Sequence, residues 1–466
     1  MSIAAATSST TVLSIAPTDV FNKKFILLVS FTAALGGLLF GFDTAIISGA
    51  IPYITSFFQL NEFSLGWAVS VILIGCGVGA LFAGALAEKF GRRFVLIVCA
   101  VLFAISGIGA GTSSSLIVFI IFRLIGGLGV GAAAMVSPMY IAEIAPTAWR
   151  GRLVALYQLA IVAGILFAYL ANYLLANIGD SNWRWMFASQ TAPAAFFFIM
   201  LLFVPETPRW LVRKGKTETA LKILNKTVGN ASGILALQEI STSFTNERTS
   251  ELSTLFSTKY LPFIGIGIFI AAFQQFTGIN SVIYYAPLIF KETGVSISNS
   301  LLQTVGIGVV CLLATFIAIG LVDKSGRKKL FLVGSVLMAV SLFALAACFY
   351  FQYFSHYVVL IALLVYVASF SATWGAVAWV YISEIFPNRI RGLALSVATL
   401  SLWIGDFIVT YTFPIIVRNL GAGGAFSIYA ILCIIAFVFI LIKVPETKDR
   451  SLEEIEKSLL KAFQAD

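Results

Sequence analysis

Long apolar stretches separated by short polar segments dominate the hydrophobic pattern of this chain. Most of the stretches run for about 20 residues or more without a charged residue, the length that an α-helix needs to cross a bilayer. Strands of a membrane barrel would instead alternate apolar and polar residues. The pattern predicts twelve transmembrane helices, at residues 25–51, 65–86, 94–112, 115–142, 153–177, 184–204, 260–290, 298–322, 330–352, 357–383, 392–417 and 424–443.

Residues 205–259 interrupt this pattern, because they are polar and include one short amphipathic stretch. They predict a cytoplasmic helical linker between an N-terminal six-helix bundle, residues 25–204, and a C-terminal six-helix bundle, residues 260–443. Residues 1–24 predict a disordered cytoplasmic tail, since no basic segment precedes an apolar core as in a signal peptide. Residues 444–466 predict a second cytoplasmic tail. The predicted fold class is an all-α membrane protein.

Composition supports this assignment. The chain is 59% hydrophobic and 11% charged, whereas soluble domains carry about 25% charged residues. The net charge of +9 does not indicate a nucleic-acid partner, because the basic residues lie in short loops. These loops fall on one predicted side, while the other side has only Arg184, Lys291 and Arg418. The asymmetry predicts a multi-pass protein of the plasma membrane with both termini cytoplasmic.

The sequence offers no pattern typical of a metal centre or an enzyme. The five cysteines lie inside apolar stretches without metal-ligand spacing, and His356 is the only histidine. There is no nucleophile constellation and no phosphate-binding loop. We therefore expect no enzymatic activity, no metal and no cofactor.

The two predicted bundles repeat each other in sequence. Three motifs recur in the same order at a nearly constant offset, which indicates duplication of a six-helix unit in the same orientation. Parallel repeats of this kind place the substrate site between the halves, near the membrane midplane. The pairs are AEKFGRR at 87–93 and VDKSGRK at 322–328, EIAPTAWRGR at 143–152 and EIFPNRIRGL at 384–393, and VPETPR at 204–209 and VPETKD at 444–449.

Five motifs in order carry a family resemblance. They are GFDTAIISGA at 41–50, RLIGGLGVGAAAMVSPMYIAEIAP at 123–146, PETPRWL at 205–211, QQFTGINSVIYYAP at 274–287 and PETK at 445–448. With them the chain resembles the sugar porter family of the major facilitator superfamily, and most of all its bacterial proton-coupled monosaccharide symporters. The resemblance implies two pseudo-symmetric bundles with the major facilitator fold. It also implies a functional monomer that imports a sugar with H⁺ by alternating access.

Two opposite charges are placed at membrane depth. Asp43 has no charged neighbour from Phe25 to Asn61, and Arg123 has none in its own span. At matched depth on two helices of one bundle they should pair, and intramembrane ionisable residues are functional candidates. The resemblance implies that Asp43 binds the coupled proton, because passive facilitators of the family carry a neutral residue there. A static salt bridge between two helices is the alternative.

Asp406 is a second acid in the middle of a span, and Arg418 is the nearest basic residue along the chain. Related glucose facilitators often have a neutral amide at this position. The sequence leaves three roles open: a ligand for a sugar hydroxyl, a second protonation site, or a protonated acid bonded to neighbouring hydroxyls.

A sugar site needs amides, which both donate and accept hydrogen bonds, and aromatic faces. By resemblance the substrate-binding residues are Gln158, Gln274, Gln275, Asn280, Trp379 and Trp403, and Tyr284 and Tyr285 form the outer gate. Gly278 is expected to break the helix between the amides. The alternative roles are bonding between helices for the amides and packing for the tryptophans, as we expect for Trp374.

Three positions depart from the polar pattern of the family. Ile165, Cys311 and Leu402 stand where relatives often have amides. The site is therefore less polar, which favours a glucose-like hexose over high-affinity xylose recognition.

Charged residues recur beside the predicted cytoplasmic loops of both halves. The resemblance implies an ion-pair lattice that holds the halves together in the outward-open state; the alternative is that these charges only set topology. Its members are Glu88, Arg92, Arg93, Glu143, Arg150, Glu206, Asp323, Arg327, Glu384, Arg391 and Glu446.

Two other functions fit the same sequence. A passive sugar facilitator would lack proton coupling, and a non-transporting sugar sensor would carry a longer cytoplasmic tail than residues 444–466 provide.

Overall fold

The computed structural model describes residues 21–179, 181–245, 257, 260–353, 357–387, 390–448 and 454. The helices of the N-terminal half are α1 (Lys23–Phe57), α2 (Glu62–Phe90), α3 (Arg92–Thr112), α4 (Leu116–Ile144), α5 (Arg150–Leu175), α6 (Asn182–Ser189) and α7 (Thr191–Phe203). Those of the linker are α8 (Pro208–Arg213), α9 (Thr217–Val228) and α10 (Asn230–Thr245). Those of the C-terminal half are α11 (Leu261–Phe276), α12 (Ile279–Glu292), α13 (Ile297–Ser325), α14 (Arg327–Tyr350), α15 (Val358–Ala372), α16 (Trp374–Ile385) and α17 (Arg391–Lys443).

Eleven helical segments within the described residues are long and apolar enough to cross a membrane. The predicted eleventh and twelfth spans differ from expectation, because they join in the 53-residue helix α17. Gly421, with φ 71° and ψ 169°, interrupts the helical backbone of α17, so the two predicted spans lie on either side of this kink. With α17 counted as two spans, the prediction of a twelve-span all-α membrane protein is confirmed.

Three of the spans are broken inside the membrane region. The sixth divides at Gln190, the seventh at Thr277 and Gly278, and the tenth at Thr373. Gly278 adopts the left-handed conformation, φ 89° and ψ 11°, which a residue without a Cβ tolerates. The break leaves the Thr277 carbonyl without a hydrogen bond inside the helix. The Tyr366 hydroxyl donates to this carbonyl at 2.8 Å and so satisfies it. The predicted helix break is therefore present, and it separates Gln275 from Asn280.

The linker packs against the start of α1. A small apolar cluster of Leu211, Ala220 and Ile223 holds α8 and α9 together. The backbone N–H of Asn22 donates to the carbonyl of Thr227 at 3.2 Å. This contact marks the linker end of the molecule. Residues 1–20 of the predicted N-terminal tail, and most of the predicted C-terminal tail, lie outside the described residues, as does His356.

At the opposite end the two halves are in contact. The Tyr169 hydroxyl on α5 donates to the Ile283 carbonyl on α12 at 2.9 Å. Arg418 on α17 forms an ion pair with Glu62 at the start of α2. Both contacts join the N-terminal half to the C-terminal half, so this end of the interface between the halves is closed.

Candidate functional site

A buried ion pair lies inside the N-terminal half. Arg123 on α4 donates from Nη1 to Oδ1 of Asp43 on α1, and both side chains are fully buried. Gly126, almost one turn beyond Arg123, leaves the space that the carboxylate occupies: a Cβ there would lie 2.9 Å from Asp43 Oδ2. The pairing expected from matched depth is present. Its role in proton transfer stays a prediction.

The hydrogen bonding of this pair is incomplete. Among the described residues, Asp43 Oδ2 and the Nε and Nη2 atoms of Arg123 have no hydrogen-bond partner. The guanidinium carbon lies 5.5 Å from the ring centroid of Phe187, which is a cation–π contact. One carboxylate oxygen therefore has no hydrogen-bond donor, and a single hydrogen bond joins the two charged side chains.

The break at Gly278 brings two of the predicted amides together. Asn280 Nδ2 donates to Gln275 Oε1 at 2.8 Å, so the two amides form a bonded pair across the break. Gln274 points elsewhere, because its Nε2 donates to the carbonyl of Trp374 at 3.1 Å. Gln158 is half-buried on α5 in the other half. The structure thus favours Gln275 and Asn280 as a polar pair, while Gln274 also connects α11 to α16.

The two tryptophans predicted to bind sugar differ in exposure. Trp403 on α17 is 5% exposed, and its ring centroid lies 5.8 Å from that of Phe40 in the other half. Its indole N–H has no partner among the described residues, which leaves a buried donor for a ligand. Trp379 on α16 is 36% exposed. Trp374 is fully buried and donates to Ser335 Oγ at 3.0 Å, as expected of a packing residue.

Replacing Trp403 with phenylalanine should weaken sugar binding while keeping most of the aromatic surface. Loss of one hydrogen bond from a buried donor costs about 1 kcal/mol, or roughly a fivefold increase in Kd. Calorimetric titration of the purified protein with D-glucose measures this. The matched control is Trp374→Phe, which should lower the unfolding temperature and leave Kd unchanged. An unchanged Kd for Trp403→Phe would remove this indole from the sugar site.

The predicted outer-gate tyrosines are buried on α12. The Tyr285 hydroxyl donates to the Thr410 carbonyl on α17 at 3.0 Å. Tyr284 is 1% exposed, and Thr44, the neighbour of Asp43, lies within hydrogen-bonding reach of it. Tyr284 therefore lies between the ion pair of one half and the polar residues of the other, a connection that the sequence did not indicate.

Asp406 belongs to the same region. Its side chain is 3% exposed, and Thr410 Oγ1 donates to Oδ1 at 3.1 Å.

The repeated motifs form equivalent contacts at the linker end of both halves. Arg92 Nη2 lies 2.9 Å from Glu143 Oε1, and Arg327 Nη2 lies 2.8 Å from Glu384 Oε1. The Tyr140 hydroxyl donates to the Pro205 carbonyl, and the Tyr381 hydroxyl donates to the Pro445 carbonyl. Internal duplication therefore extends from sequence to hydrogen bonding.

Each of these ion pairs lies within one half. Glu88 pairs with Arg213 of α8 at 3.0 Å, Arg391 donates to the Phe386 carbonyl at 3.2 Å, and Arg150 is exposed. The side chain of Asp323 lies outside the described part of the chain. None of the contacts named here joins the N-terminal half to the C-terminal half. The lattice across the halves in an outward-open state thus stays a prediction.

The contacts that do join the halves were missed by the sequence reasoning. The Glu62–Arg418 pair lies at the end opposite the linker, where the sequence has few charged residues. This scarcity could have indicated the pair, because Glu62 and Arg418 had few other charged partners at this end of the molecule. This pair closes the interface between the halves at the end opposite the linker.

Two glutamates at equivalent positions of the repeat have pKa values shifted in opposite directions. Glu206 accepts from the backbone N–H groups of Arg92 at 3.0 Å and Arg93 at 3.0 Å, and Glu446 accepts from Arg327 at 2.8 Å and Lys328 at 3.1 Å. Burial raises the pKa of Glu206 above its usual value of 4.5 despite these bonds. Burial also acts upward on Glu446, but its backbone donors together outweigh it and lower that pKa.

This difference predicts opposite effects of acid on two matched variants. The parent protein gains stability as the pH falls through the raised pKa of Glu206 towards about 4.5, because the folded state binds this proton more tightly than the unfolded state. Glutamine cannot bind the proton, so Glu206→Gln should lack this gain. Glu446 contributes stability above its unfolded pKa and loses it as the pH falls through its lowered pKa. Glu446→Gln should therefore be less acid-sensitive than the parent below about pH 4.5. Thermal unfolding in detergent on both sides of pH 4.5 gives the unfolding temperature of each variant relative to the parent. On acidification this difference should fall for Glu206→Gln and rise for Glu446→Gln, and changes of the same sign would contradict the assignment.

Comparison with known proteins agrees with this architecture. The family model described as "Sugar (and other) transporter" matches residues 29–459. The chain is 42% identical to the D-xylose-proton symporter of Escherichia coli, with 94% of this chain and 96% of that protein covered. It is 41% identical to the arabinose-proton symporter of Bacillus subtilis, with the same coverage of both chains.

A solved structure supports the same conclusion. The inward open conformation of the xylose transporter of E. coli gives a TM-score of 0.84 at 41% identity, covering 93% of this chain and all of that one. Both the fold and the closed end of the interface between the halves are consistent with this similarity. The protein is a multi-pass transporter and not an enzyme, and it belongs to the sugar porter family of the major facilitator superfamily.

Proposed function

We propose that this protein imports a monosaccharide together with H⁺ by alternating access, and that a glucose-like hexose is its substrate. The observation that carries the proposal is the fully buried Asp43–Arg123 pair with one carboxylate oxygen unpartnered. A buried pair of this kind costs desolvation free energy that packing with apolar side chains would avoid. The relatives named above are proton symporters of pentoses, which supports proton coupling in a chain with this pair.

The proposed cycle uses the change in charge of Asp43. In the outward-facing state Asp43 takes a proton from the outer water, which forms an O–H bond and leaves the carboxyl neutral. Arg123 then loses its charged partner, and the two helices α1 and α4 can change their relative position. In the inward-facing state the O–H bond breaks, the proton enters the cytoplasm, and the ion pair forms again. Sugar crosses in the same cycle.

The available driving force is sufficient for accumulation. One proton crossing a potential of about 150 mV supplies roughly 3.5 kcal/mol. Each tenfold ratio of concentrations requires about 1.4 kcal/mol, so this free energy supports a sugar gradient of roughly several hundredfold.

The proposal of a hexose rests on the reduced polarity of the site. Ile165 and Leu402 are both 6% exposed, and Cys311 is 3% exposed, so three apolar or weakly polar side chains are buried where relatives often have amides. Fewer amides leave fewer fixed hydrogen bonds for a small pentose, whereas the larger apolar face of a glucopyranose can stack on Trp403 and Trp379. The relatives named above act on pentoses, so direct comparison of both sugars is essential.

The cellular setting follows from the same proposal. Basic residues concentrate on the linker side, which supports a cytoplasmic location for both termini and the linker of a protein in the plasma membrane. The two halves of one chain already enclose the site, so a monomer is the functional unit.

Uptake by proteoliposomes tests the proposal. D-glucose and D-xylose are supplied with an imposed inward proton gradient, with and without a protonophore. We expect accumulation of D-glucose that collapses on adding the protonophore, with alkalinisation of the external medium. Equilibration without accumulation would indicate a passive facilitator, and sugar binding without uptake would indicate a sensor. Accumulation of D-xylose alone would overturn the choice of hexose.

A further inference from the structure

Asp406 differs from Asp43 in how its charge is balanced. Asp43 has Arg123, but no lysine or arginine pairs with Asp406 among the described residues. The nearest base along its own helix, Arg418, is already paired with Glu62. An ionised carboxylate buried without a cation is costly, and the group avoids the cost by binding a proton.

The surroundings of Asp406 are polar and mostly neutral. Thr410 Oγ1 donates to Oδ1 at 3.1 Å, and the Asn280 side chain lies within hydrogen-bonding reach. From α11, Gln275 packs beside Gly405, the residue before Asp406, with 3.6 Å between its Cβ and the position of an added Cβ. These are the amides and the helix turn that carry the proposed sugar contacts.

Titratable groups approach from the other packed helices. Cys76 from α2 and Tyr284 from α12 both lie within electrostatic range of the Asp406 carboxyl. The Asp43 and Arg123 charges act on Cys76 as well. Tyr285 of α12 bonds to the Thr410 carbonyl. Apart from Asp406, the charged side chains named in this cluster are Asp43 and Arg123, which form an ion pair with each other.

We infer that Asp406 is a second proton-binding residue, located in the sugar site, and that its neutral form is the one that binds sugar. The inference rests on the proposed function as a sugar carrier. A neutral carboxylic acid offers an O–H donor and a carbonyl acceptor, which match a sugar hydroxyl, whereas a carboxylate only accepts. Sugar also displaces the water that would solvate a carboxylate. One proton from the water of the open cavity forms the O–H bond and leaves when the bond breaks.

This linkage makes sugar affinity depend on pH. Above the titration point of Asp406, each pH unit raises the unprotonated fraction about tenfold, so Kd should rise by up to about tenfold per unit. Asp43 can produce a similar dependence, and it must be removed from the measurement. The appropriate background is therefore Asp43→Asn, a variant in which binding is measured without coupled transport.

The experiment compares the purified Asp43→Asn protein with Asp43→Asn/Asp406→Asn. Calorimetric titration with D-glucose and with D-xylose gives Kd from pH 5.5 to 8.5, roughly the range over which perturbed carboxyls titrate. We expect Kd to rise with pH in the single variant and to be constant in the double variant. An equal rise in both variants, or no rise in the single variant, would overturn the inference.

Proton uptake gives a second readout that needs no Asp406 variant. Adding sugar to the Asp43→Asn protein in weak buffer with a pH indicator should take up as much as one proton for each sugar bound. Uptake near zero at every pH in the range would overturn the inference. These results are independent of the accumulation assay, so the carrier function can stand if Asp406 proves not to titrate.

Discussion

Proteoliposomes containing the Asp43→Asn variant should bring a sugar only to equal concentrations on both sides, whereas the parent protein should accumulate it several hundredfold. Asparagine keeps the shape of the aspartate but cannot take up or release a proton. Sugar-driven exchange between two equilibrated pools needs no net proton movement, so counterflow should continue. Uptake of labelled D-glucose with an imposed proton gradient, followed by counterflow in the same vesicles, measures both effects.

The control for this variant is Glu218→Gln, the same chemical change at an exposed acid of the linker helix α9. It should accumulate sugar like the parent. If Asp43→Asn still concentrates sugar, the coupled proton binds elsewhere, and Asp43 is a structural partner of Arg123. If both accumulation and counterflow are lost, Asp43 is needed for sugar movement itself, which also contradicts a role limited to coupling.

The second large effect concerns stability. Arg123→Met should lower the free energy of unfolding by about 3–5 kcal/mol, the usual cost of leaving one charge of a buried pair without its partner. Asp43 is fully buried and Arg123 Nη1 is its recorded hydrogen-bond donor. Unfolding of the detergent-solubilised protein, followed by tryptophan fluorescence, measures the loss.

A double variant separates loss of charge balance from loss of packing. Asp43→Asn/Arg123→Met removes both charges and keeps similar side-chain volumes, so it should recover most of the stability lost in Arg123→Met. A double variant as unstable as the single one would show that Arg123 acts through packing, for example through its contact with Phe187. The stability cost would then give no support to the proposed coupling.

The local patterns of the chain were enough for its architecture. A helix in lipid must satisfy its own backbone and requires about 20 apolar residues, so spans such as those of α2 and α3 are evident without any tertiary information. Isolated charges within a span were equally evident. Asp43 and Arg123 could be paired in advance because depth along a helix follows from residue count.

Contacts between distant segments were harder to predict. Gln274 and Gln275 are neighbours in sequence, yet one bonds to the Trp374 carbonyl and the other to Asn280 across the break at Gly278. Helical periodicity cannot give the direction of the chain after a left-handed residue. The cross-half pair of Glu62 and Arg418 likewise depends on how two bundles meet, which no local pattern contains.

The sequence by itself determined the number of spans, the duplication, the family and the two acids at membrane depth, because each depends on local hydrophobicity, spacing or motif order. Only the tertiary structure decided which neutral groups surround Asp406, the acid without a cation. Asp43 and Asp406 have similar sequence environments, each alone in an apolar span. Their difference arises because α4 brings a guanidinium to one carboxyl, while the other has a hydroxyl from its own helix α17 and an amide from α12.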